Sequence, residues 1–221
     1  MMSGSVDRID YGVRSTPWES LDYGSQFSQY ARFAVVKDLG IREGDSVFDI
    51  GSGLGELKRF FDLLNIDIRY SGCEPVKELF DNNYSHNLLN MTWEDAFQKN
   101  RNPENNSFDW YVCCGVYAES RYSIQDVLST ISQVYQLAAK GFVFTFLSED
   151  HQEKKIYQKY FSPIEMFDRT RDLIIEIGDI NPRLVLRYDY MPHSFAIYAY
   201  KGESAWVKRY KKGLSGIDHT E

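Results

Sequence analysis

Residues 47–61, VFDIGSGLGELKRFF, join an apolar run to an amphipathic run through three glycines within five positions. The apolar run predicts a buried strand, and the helical spacing of Leu57, Phe60, Phe61 and Leu64 predicts a helix. Glycine permits positive φ and lets a ligand approach the backbone, and the first N–H groups of a helix are free to bind. The segment therefore predicts a ligand-binding loop at the carboxyl end of a strand in an open α/β sheet.

Strand-like and helix-like runs alternate along the rest of the chain, which indicates a mostly parallel sheet covered by helices. The predicted strands are 46–50, 67–74, 87–93, 108–117, 142–148, 183–190 and 194–201. The predicted helices are 25–40, 56–65, 75–83, 123–141 and 162–174. Only MPH separates the last two strands, and so short a link requires an antiparallel hairpin. The expected fold is a three-layer α/β sandwich with a mostly parallel, seven-stranded, Rossmann-like sheet and a C-terminal antiparallel hairpin.

Charge and composition limit the classes of partner. The net charge is −7 and the pI about 5.2, which argues against general binding to nucleic acid or to a membrane surface. No run is long enough to span a bilayer, and the first residues lack the apolar core of a signal peptide. Cys73, Cys113 and Cys114 suit a reducing compartment, and no Cys/His spacing resembles a metal site. We expect a soluble, cytoplasmic protein without a metal ion.

Two ligand classes compete for the glycine loop. A dinucleotide-binding loop has the pattern G-x-G-x-x-G, but Glu56 occupies the third glycine position, where its carboxylate faces a pyrophosphate. The order Asp49-Ile50-Gly51-Ser52-Gly53-Leu54-Gly55 instead resembles the first motif of class I S-adenosylmethionine-dependent methyltransferases. Glu74, at the end of the second predicted strand, suits the ribose hydroxyls of either ligand. A glycine turn that binds no ligand is the third interpretation.

The closing hairpin favours the methyltransferase interpretation, because class I methyltransferase sheets end in a similar antiparallel pair. The resemblance covers residues 25–201 and is closest to a poorly characterised bacterial and phage-type branch. The segments SQYARF, FDWYVCCGVY, GFVFTFLS and LRYDYMPHSFAIYAYK carry it. This chain has Cys114-Gly115 where that branch usually has a Ser-Gly pair, so a hydroxyl group is missing at this position.

The resemblance implies roles for residues around the cofactor S-adenosylmethionine. Asp49 would orient the loop or meet the cofactor amine, the loop would admit the methionine portion, and Glu74 would hold the ribose. An acid after the third strand would bind the adenine amine, and we favour Asp95. The full set implied at the cofactor is Asp49, Gly51, Ser52, Gly53, Glu74, Pro75, Trp93, Glu94, Asp95, Cys114 and Gly115. Val76 is an alternative to Pro75 at the adenine ring, and Trp93 either lies at the cofactor or fills the core.

The acceptor side carries weaker signals, and no catalytic residue is identified. Tyr117 and Glu119 follow the fourth strand and either face the acceptor or pack in a loop. His193 lies in the hairpin turn and is either a general base or an ordinary turn residue. Arg32 either reaches the cofactor carboxylate or forms a surface ion pair. The Asn-Pro-Pro-Tyr signature of amino-methylating enzymes is absent after the fourth strand, which favours a small-molecule acceptor over nucleic acid.

Two segments outside the strand–helix pattern suggest a lid. Residues 1–24 are expected to be irregular, and within 149–161 one helical turn would bring Tyr157, Tyr160 and Phe161 to the same side. Together with Tyr11, Trp18 and Tyr23, these residues would line an aromatic lid over the cofactor. Residues 25–201 would form the methyltransferase domain and 202–221 a flexible tail. The alternative functions are a non-catalytic cofactor-binding or scaffold protein and an NAD(P)-dependent oxidoreductase.

Overall fold

The computed structural model describes residues 11–99 and 107–202 of the chain. Their seven strands form one sheet in the order β3-β2-β1-β4-β5-β7-β6. The strands are β1 Ser46–Ile50, β2 Arg69–Cys73, β3 Leu88–Leu89, β4 Trp110–Cys114, β5 Gly141–Leu147, β6 Arg183–Met191 and β7 Ser194–Tyr200. The first five are parallel, and β7 runs antiparallel to both β5 and β6. The predicted sheet and its closing hairpin are confirmed.

Helices cover both faces of the sheet, as the apolar strands require. They are α1 Pro17–Ser20, α2 Gln26–Asp38, α3 Glu56–Leu63, α4 Lys77–Asp81, α5 Trp93–Lys99, α6 Ile124–Leu137 and α7 Pro163–Glu176. Serine caps begin the three longest helices, because each hydroxyl accepts a backbone N–H that has no partner within the helix. Ser25, Ser123 and Ser162 fill this role for α2, α6 and α7.

Two apolar clusters hold the layers together. Phe33 and Val36 of α2 and Phe61 of α3 pack on one face of the sheet against residues such as Val47 and Val143. On the other face α5, α6 and α7 contribute a second cluster, which includes Trp93, Val127, Ile131, Met166 and Ile174. Full burial of one such side chain stabilises the fold by about 1.5–3 kcal/mol. The two clusters pack the helices onto both faces of the sheet, and this packing positions the loops that begin at the carboxyl ends of the strands.

Several boundaries differ from the sequence prediction where local polar contacts override periodicity. The third strand has only two residues, and Trp93 begins α5 instead of ending a strand. The α4 helix begins at Lys77 rather than Pro75, because the Glu74 carboxylate accepts the Val76 N–H and holds a turn before the helix. The fourth strand stops at Cys114, where Gly115 has φ 82° and turns the chain into one 3-10 turn.

The helical turn predicted within 149–161 is wrong. The backbone of Gln158 instead pairs with Glu119, and Phe161 pairs with Ser148. This segment therefore adds short strand-like pairings beside the carboxyl ends of β4 and β5. Gly141 likewise opens β5 rather than ending α6, which stops at Leu137.

The N-terminal region contains α1 within residues 11–24, and residues 1–10 lie outside the described part of the chain. The tail predicted for 202–221 lies, apart from Gly202, outside the described residues as well. Within the described ranges, no helix combines the length and the apolar character needed to cross a membrane.

Candidate functional site

A cavity of about 700 Å³ lies at the carboxyl ends of β1, β2, β4 and β5. Its size falls within the range of small-molecule sites, and its position is the usual ligand site of an open α/β sheet. The glycine loop forms its floor beside the start of α3. The opposite side is covered by residues 11–23, which we call the N-terminal strap.

The glycine loop is held tightly by its own chain. Gly51 and Gly53 have φ of 70° and 56°, a left-handed region that disfavours side chains. The N–H groups of Gly51 and Ser52 both donate to the Cys73 carbonyl, at 2.9 and 3.0 Å, and so fasten the loop to β2. A Cβ on Gly51 would overlap Val116. Protein packing alone therefore requires glycine at Gly51, whatever ligand binds above.

Glu74 closes the loop from the side of β2. Its side chain is 4% exposed, and its carboxylate accepts hydrogen bonds from the N–H groups of Gly53 at 2.8 Å and Val76 at 2.9 Å. Burial raises the pKa of Glu74, and these two N–H groups oppose that shift. The acid predicted to bind ribose thus lines the cavity and, in the same position, secures the glycine loop.

Asp49 is the second buried acid of the cavity. Its side chain is 3% exposed, and the Tyr70 hydroxyl donates to its Oδ2 at 2.6 Å. Burial raises the pKa of Asp49 to about 7; the Tyr70 hydrogen bond lowers it, and the charge of Glu74 raises it further. The cavity therefore holds two carboxylates that repel each other near neutral pH.

The wall after β2 and β3 is formed mainly by apolar groups. Pro75, Val76 and Trp93 line it, together with the exposed acid Glu94. Trp93 also serves the core, since its indole N–H donates to Gln133 at 2.8 Å. Asp95 does not line the cavity, because it sits in the first turn of α5, where the Thr92 hydroxyl donates to its carboxylate at 3.1 Å.

The wall after β4 contains Cys114, Gly115, Tyr117 and Glu119. Tyr117 is buried, and its hydroxyl donates to Thr130 at 2.6 Å, so the ring is anchored in the core and cannot turn its hydroxyl to a ligand. Glu119 is also buried in this wall, and its carboxylate is engaged by Arg121, with Nε 3.0 Å from Oε2 and Nη2 donating to Oε1 at 3.2 Å. The structure thus separates these two sequence candidates.

Arg32 is a buried cation at the cavity. It is 6% exposed and donates to the hydroxyl groups of Ser28 and Ser194, each at 2.7 Å, while its guanidinium stacks on Tyr23 at 5.2 Å. Within residues 11–99 and 107–202, it forms no ion pair with a carboxylate. The surface ion pair considered for it is therefore not observed.

His193 lies away from the cavity. Its ring is 5.1 Å from that of His151, and it is absent from the cavity wall. Burial lowers the pKa of His193 to about 4, and the neighbouring charges of Arg32 and His151 add to this shift. The imidazole is thus neutral at neutral pH but is not placed to act on a ligand in the cavity.

The N-terminal strap crosses the mouth of the cavity. At one end the Val13 N–H donates to Glu78 at 3.2 Å; at the other the Tyr23 hydroxyl donates to the Cys114 carbonyl at 3.4 Å. Tyr11 and Tyr23 line the cavity, whereas Trp18 does not. From the segment after β5, Gln158 reaches the cavity, but Tyr157, Tyr160 and Phe161 do not.

Several cavity residues were not predicted from the sequence. They are Leu21, Asp22, Glu56, Thr145, Arg121, Tyr122 and Gln158. They come from five separate stretches of chain, and no spacing within the sequence connects them. In the described residues, no group of three or more His, Cys, Asp and Glu side chains is arranged to hold a metal ion.

No protein-family model and no curated protein sequence matches this chain. Among solved structures, it is similar to magnesium protoporphyrin IX methyltransferase from Synechocystis PCC 6803 with bound S-adenosylmethionine (TM-score 0.54, 14% identity, 87% of each chain covered). It is also similar to an S-adenosylmethionine-dependent methyltransferase from Aquifex aeolicus (TM-score 0.56, 15% identity, 85% of this chain and 99% of that chain). It is similar as well to a chain of the Pnkp1/Rnl/Hen1 RNA repair complex (TM-score 0.55, 16% identity, 80% of this chain and 42% of that chain covered). At such low identities the structural similarity shows the fold alone, which is the Rossmann-like fold of class I S-adenosylmethionine-dependent methyltransferases.

Proposed function

We propose that this protein is an S-adenosylmethionine-dependent methyltransferase that acts on a small molecule. The observation that carries the proposal is the cavity at the carboxyl edge of the sheet, where the glycine loop, the buried acids Asp49 and Glu74 and the buried cation Arg32 meet under the N-terminal strap. The same fold holds S-adenosylmethionine in the Synechocystis enzyme. The cavity offers charged or apolar side chains for each part of that cofactor.

The amino-acid portion of the cofactor carries an ammonium and a carboxylate. We assign the ammonium to Asp49 and the carboxylate to Arg32, because neither of these buried groups forms an ion pair with another residue of the described ranges. A buried charge without a partner is costly, so a ligand that supplies both counter-charges would stabilise the site. The glycine loop lets this portion lie against the backbone.

The nucleoside portion fits the wall after β2 and β3. Glu74 is the acid available for the ribose hydroxyls, and Pro75 and Val76 offer an apolar surface for the adenine ring. We transfer the contact to the adenine amine from Asp95 to Glu94, since Glu94 lines the cavity and Asp95 is engaged with Thr92.

The cofactor supplies an activated methyl group on a sulfonium, so the protein's contribution is alignment and exclusion of water. Cys114 and Gly115 at the end of β4 border the space assigned to the methyl group, and Tyr23 of the strap covers it. Six carboxylates and two guanidinium groups line the cavity, a balance that disfavours a polyanionic nucleic acid as acceptor.

A dinucleotide fits this cavity poorly. Glu56, the residue at the third position of the glycine pattern, lines the cavity. Its ion-pair partner Arg59, at 3.4 Å, is exposed and lies outside the cavity, so it places no positive charge where a pyrophosphate would bind. A pyrophosphate would face both Glu56 and Glu74. The antiparallel β7 also departs from the parallel continuation that dinucleotide-binding domains normally show.

Calorimetric titration tests the proposal directly. We expect S-adenosylhomocysteine to bind the purified protein and NAD(H) to produce no binding signal. The physical reason is the pair of counter-charges for the amino-acid portion and the acids that would repel a pyrophosphate. Binding of NAD(H) with no response to S-adenosylhomocysteine would contradict the proposal.

We further propose that the N-terminal strap is a lid that closes with the cofactor. Hydrogen bonds at Val13, Asp22 and Tyr23 and the stacking of Arg32 on the Tyr23 ring join the strap to the rest of the chain. These polar contacts are few, so we expect the strap to open more readily than the core. Amides of residues 11–23 should exchange rapidly in the free protein and slow severalfold with saturating S-adenosylhomocysteine. Hydrogen–deuterium exchange measures this, with α6 as an internal control that should not change. Protection confined to 51–55 and Glu74 would exclude cofactor-driven closure.

A further inference from the structure

The buried cation Arg32 is held by hydroxyl and carbonyl oxygens. Its Nη1 donates to the Ser28 carbonyl at 3.1 Å and to the Ser28 hydroxyl at 2.7 Å, and its Nη2 donates to the Ser194 hydroxyl at 2.7 Å. Ser28 lies one turn before Arg32 in α2, and Ser194 is the first residue of β7. We call these two serines the serine cradle. The cradle thus fixes the guanidinium from two separate elements of the fold.

These hydrogen bonds leave one edge of the guanidinium without a partner. An arginine side chain has five N–H donors in a planar, fixed arrangement. Within residues 11–99 and 107–202, Arg32 donates only the three hydrogen bonds to the cradle, so the Nε–H and one Nη2–H remain. These two N–H groups lie on the same edge of the guanidinium and match the two oxygens of a carboxylate.

The unpaired edge is the part of Arg32 that a ligand in the cavity can reach. Arg32 lines the cavity, whereas Ser28 and Ser194 do not. Ser194 is fully buried, so the cradle lies behind the guanidinium as seen from the cavity. The face of the guanidinium is covered by the ring of Tyr23. A ligand therefore meets the edge that carries the Nε–H and the Nη2–H.

The ionisable groups on which the charge of Arg32 acts are neutral near pH 7. Burial raises the pKa of Tyr23 and of Tyr190, and burial lowers the pKa of His193 to about 4. A buried guanidinium without a counter-charge is costly, and a purely structural one gains from a carboxylate partner. The oxygens of the serine cradle are neutral instead. The site thus orders the guanidinium and keeps its positive charge available to a ligand.

We propose that the serine cradle positions Arg32 for the carboxylate of the cofactor without neutralising it, and that this makes the site selective for a nucleoside that carries a carboxylate. The inference rests on the methyltransferase function and on the role of Arg32 proposed above. Ser28 and Ser194 are positioning residues, because they act through Arg32. Ordering a long side chain before the ligand arrives strengthens binding, since its rotamer freedom is not lost on association.

Two nucleosides that differ only in the carboxylate test this selectivity. S-adenosylhomocysteine carries it, and the decarboxylated analogue 5′-deoxy-5′-(3-aminopropylthio)adenosine keeps the adenosine, the sulfur and the ammonium. We expect the wild-type protein to bind S-adenosylhomocysteine at least about tenfold more tightly than the analogue, because the analogue leaves the edge of Arg32 unpaired. Calorimetry measures both dissociation constants.

Alanine variants assign the selectivity to the cradle. Ser194→Ala should weaken the binding of S-adenosylhomocysteine by about tenfold and leave the binding of the analogue unchanged, because the guanidinium is present but no longer held. Ser28→Ala should have a smaller effect in the same direction, since the Ser28 carbonyl still accepts from Nη1. Ser194→Thr restores the hydroxyl and should recover the selectivity. Ser129→Ala removes an exposed hydroxyl of α6, outside the cavity, and should change neither affinity.

The substitution Ser194→Asp distinguishes positioning of a free charge from simple anchoring. An aspartate keeps an acceptor for Nη2 and adds a negative charge beside Arg32. Simple anchoring predicts that this variant binds S-adenosylhomocysteine at least as well as the wild type. We expect it to lose the selectivity more completely than Ser194→Ala, because the new ion pair neutralises the guanidinium. Urea denaturation shows whether each variant is folded, and the alanine variants carry the test if this one is not.

The outcomes separate this inference from the proposed function. Selectivity for the carboxylate that survives the combined Ser28→Ala and Ser194→Ala substitutions overturns the inference alone. Equal binding of the two nucleosides by the wild type overturns it together with the role of Arg32. Failure of S-adenosylhomocysteine to bind overturns the methyltransferase proposal and the inference with it. Loss of selectivity in folded Ser194→Ala, with unchanged binding of the analogue, supports the positioning role.

Discussion

Replacing Glu74 with alanine is expected to weaken the binding of S-adenosylhomocysteine by about 1.5–3 kcal/mol, or roughly 10- to 150-fold in the dissociation constant. The variant loses the acid assigned to the ribose hydroxyls and also the acceptor for the Gly53 and Val76 N–H groups. The first loss removes a contact of the bound state; the second leaves the glycine loop less ordered in the free protein, so that ligand binding must order it. Calorimetry on the wild type and the variant measures the change.

The controls separate the ribose contact from damage to the fold. Glu74→Gln keeps one acceptor oxygen for the loop but removes the charge, so its loss of affinity should be smaller than that of Glu74→Ala. Glu149→Ala changes an exposed acid beyond β5 and should bind like the wild type. Urea denaturation should show each variant folded. A folded Glu74→Ala protein with the wild-type dissociation constant would remove Glu74 from the site.

The affinity for S-adenosylhomocysteine is expected to fall as the pH is lowered from 7.5 to 5, by up to about a hundredfold. Burial raises the pKa of Asp49 to about 7, so below that pH the free protein holds this carboxyl protonated. The cofactor ammonium favours the charged carboxylate, and binding must then remove the proton. Removing this proton therefore lowers the affinity by at most about tenfold for each pH unit below 7. The sign follows from a raised acid pKa, which disfavours the charged form that the ligand needs.

Two comparisons test this assignment. Asp49→Asn should bind more weakly at pH 7.5 and show a flatter pH profile, because no proton is released at that position. 5′-Methylthioadenosine has the nucleoside but lacks the amino-acid portion, so its affinity for the wild type should also change less with pH. A wild-type profile that is flat, or one that Asp49→Asn leaves unaltered, would disprove the proposed partner of the ammonium.

The two acids are coupled, which links the two predictions. Burial is the main cause of the raised pKa of Asp49; the hydrogen bond from Tyr70 opposes this shift, and the charge of Glu74 adds to it. In Glu74→Gln that repulsion is absent, so the fall in affinity should begin at a lower pH than in the wild type. The direction of this shift distinguishes direct charge coupling from a general weakening of the site.

The fold could be predicted almost completely from the sequence, because it depends on repeating local signals. Apolar runs of strand length alternate with runs that have helical spacing. The last two predicted strands are separated by only three residues, a link too short for any arrangement but an antiparallel pair. Where the prediction failed, a single polar contact outweighed the pattern. The Glu74 carboxylate delayed the start of α4, and pairing of Gln158 with Glu119 replaced the helical turn predicted after β5.

The glycine loop and the acids Asp49 and Glu74 were also found from the sequence, since a parallel strand places the residues at its carboxyl end on one edge of the sheet. What the sequence did not reveal is how each side chain is engaged. Arg32 reads as an ordinary helix-surface cation, yet α2 packs against the sheet and buries it at the cavity, where no carboxylate of residues 11–99 or 107–202 pairs with it. Burial depends on the packing of distant elements, which local spacing does not encode.

By itself, the sequence determined the order of the strands and helices and the ligand-binding edge of the sheet, because hydrogen-bond periodicity and turn geometry act over a few residues. Only the tertiary structure decided which residues share the cavity. Asp22, Glu119 and Gln158 come from three distant stretches, and they meet because the N-terminal strap crosses the cavity while the segment after β5 pairs beside β4. It also decided that Tyr117 serves the core and Glu119 faces the cavity, since the direction of a side chain after a strand depends on the turn that follows and on what packs against it.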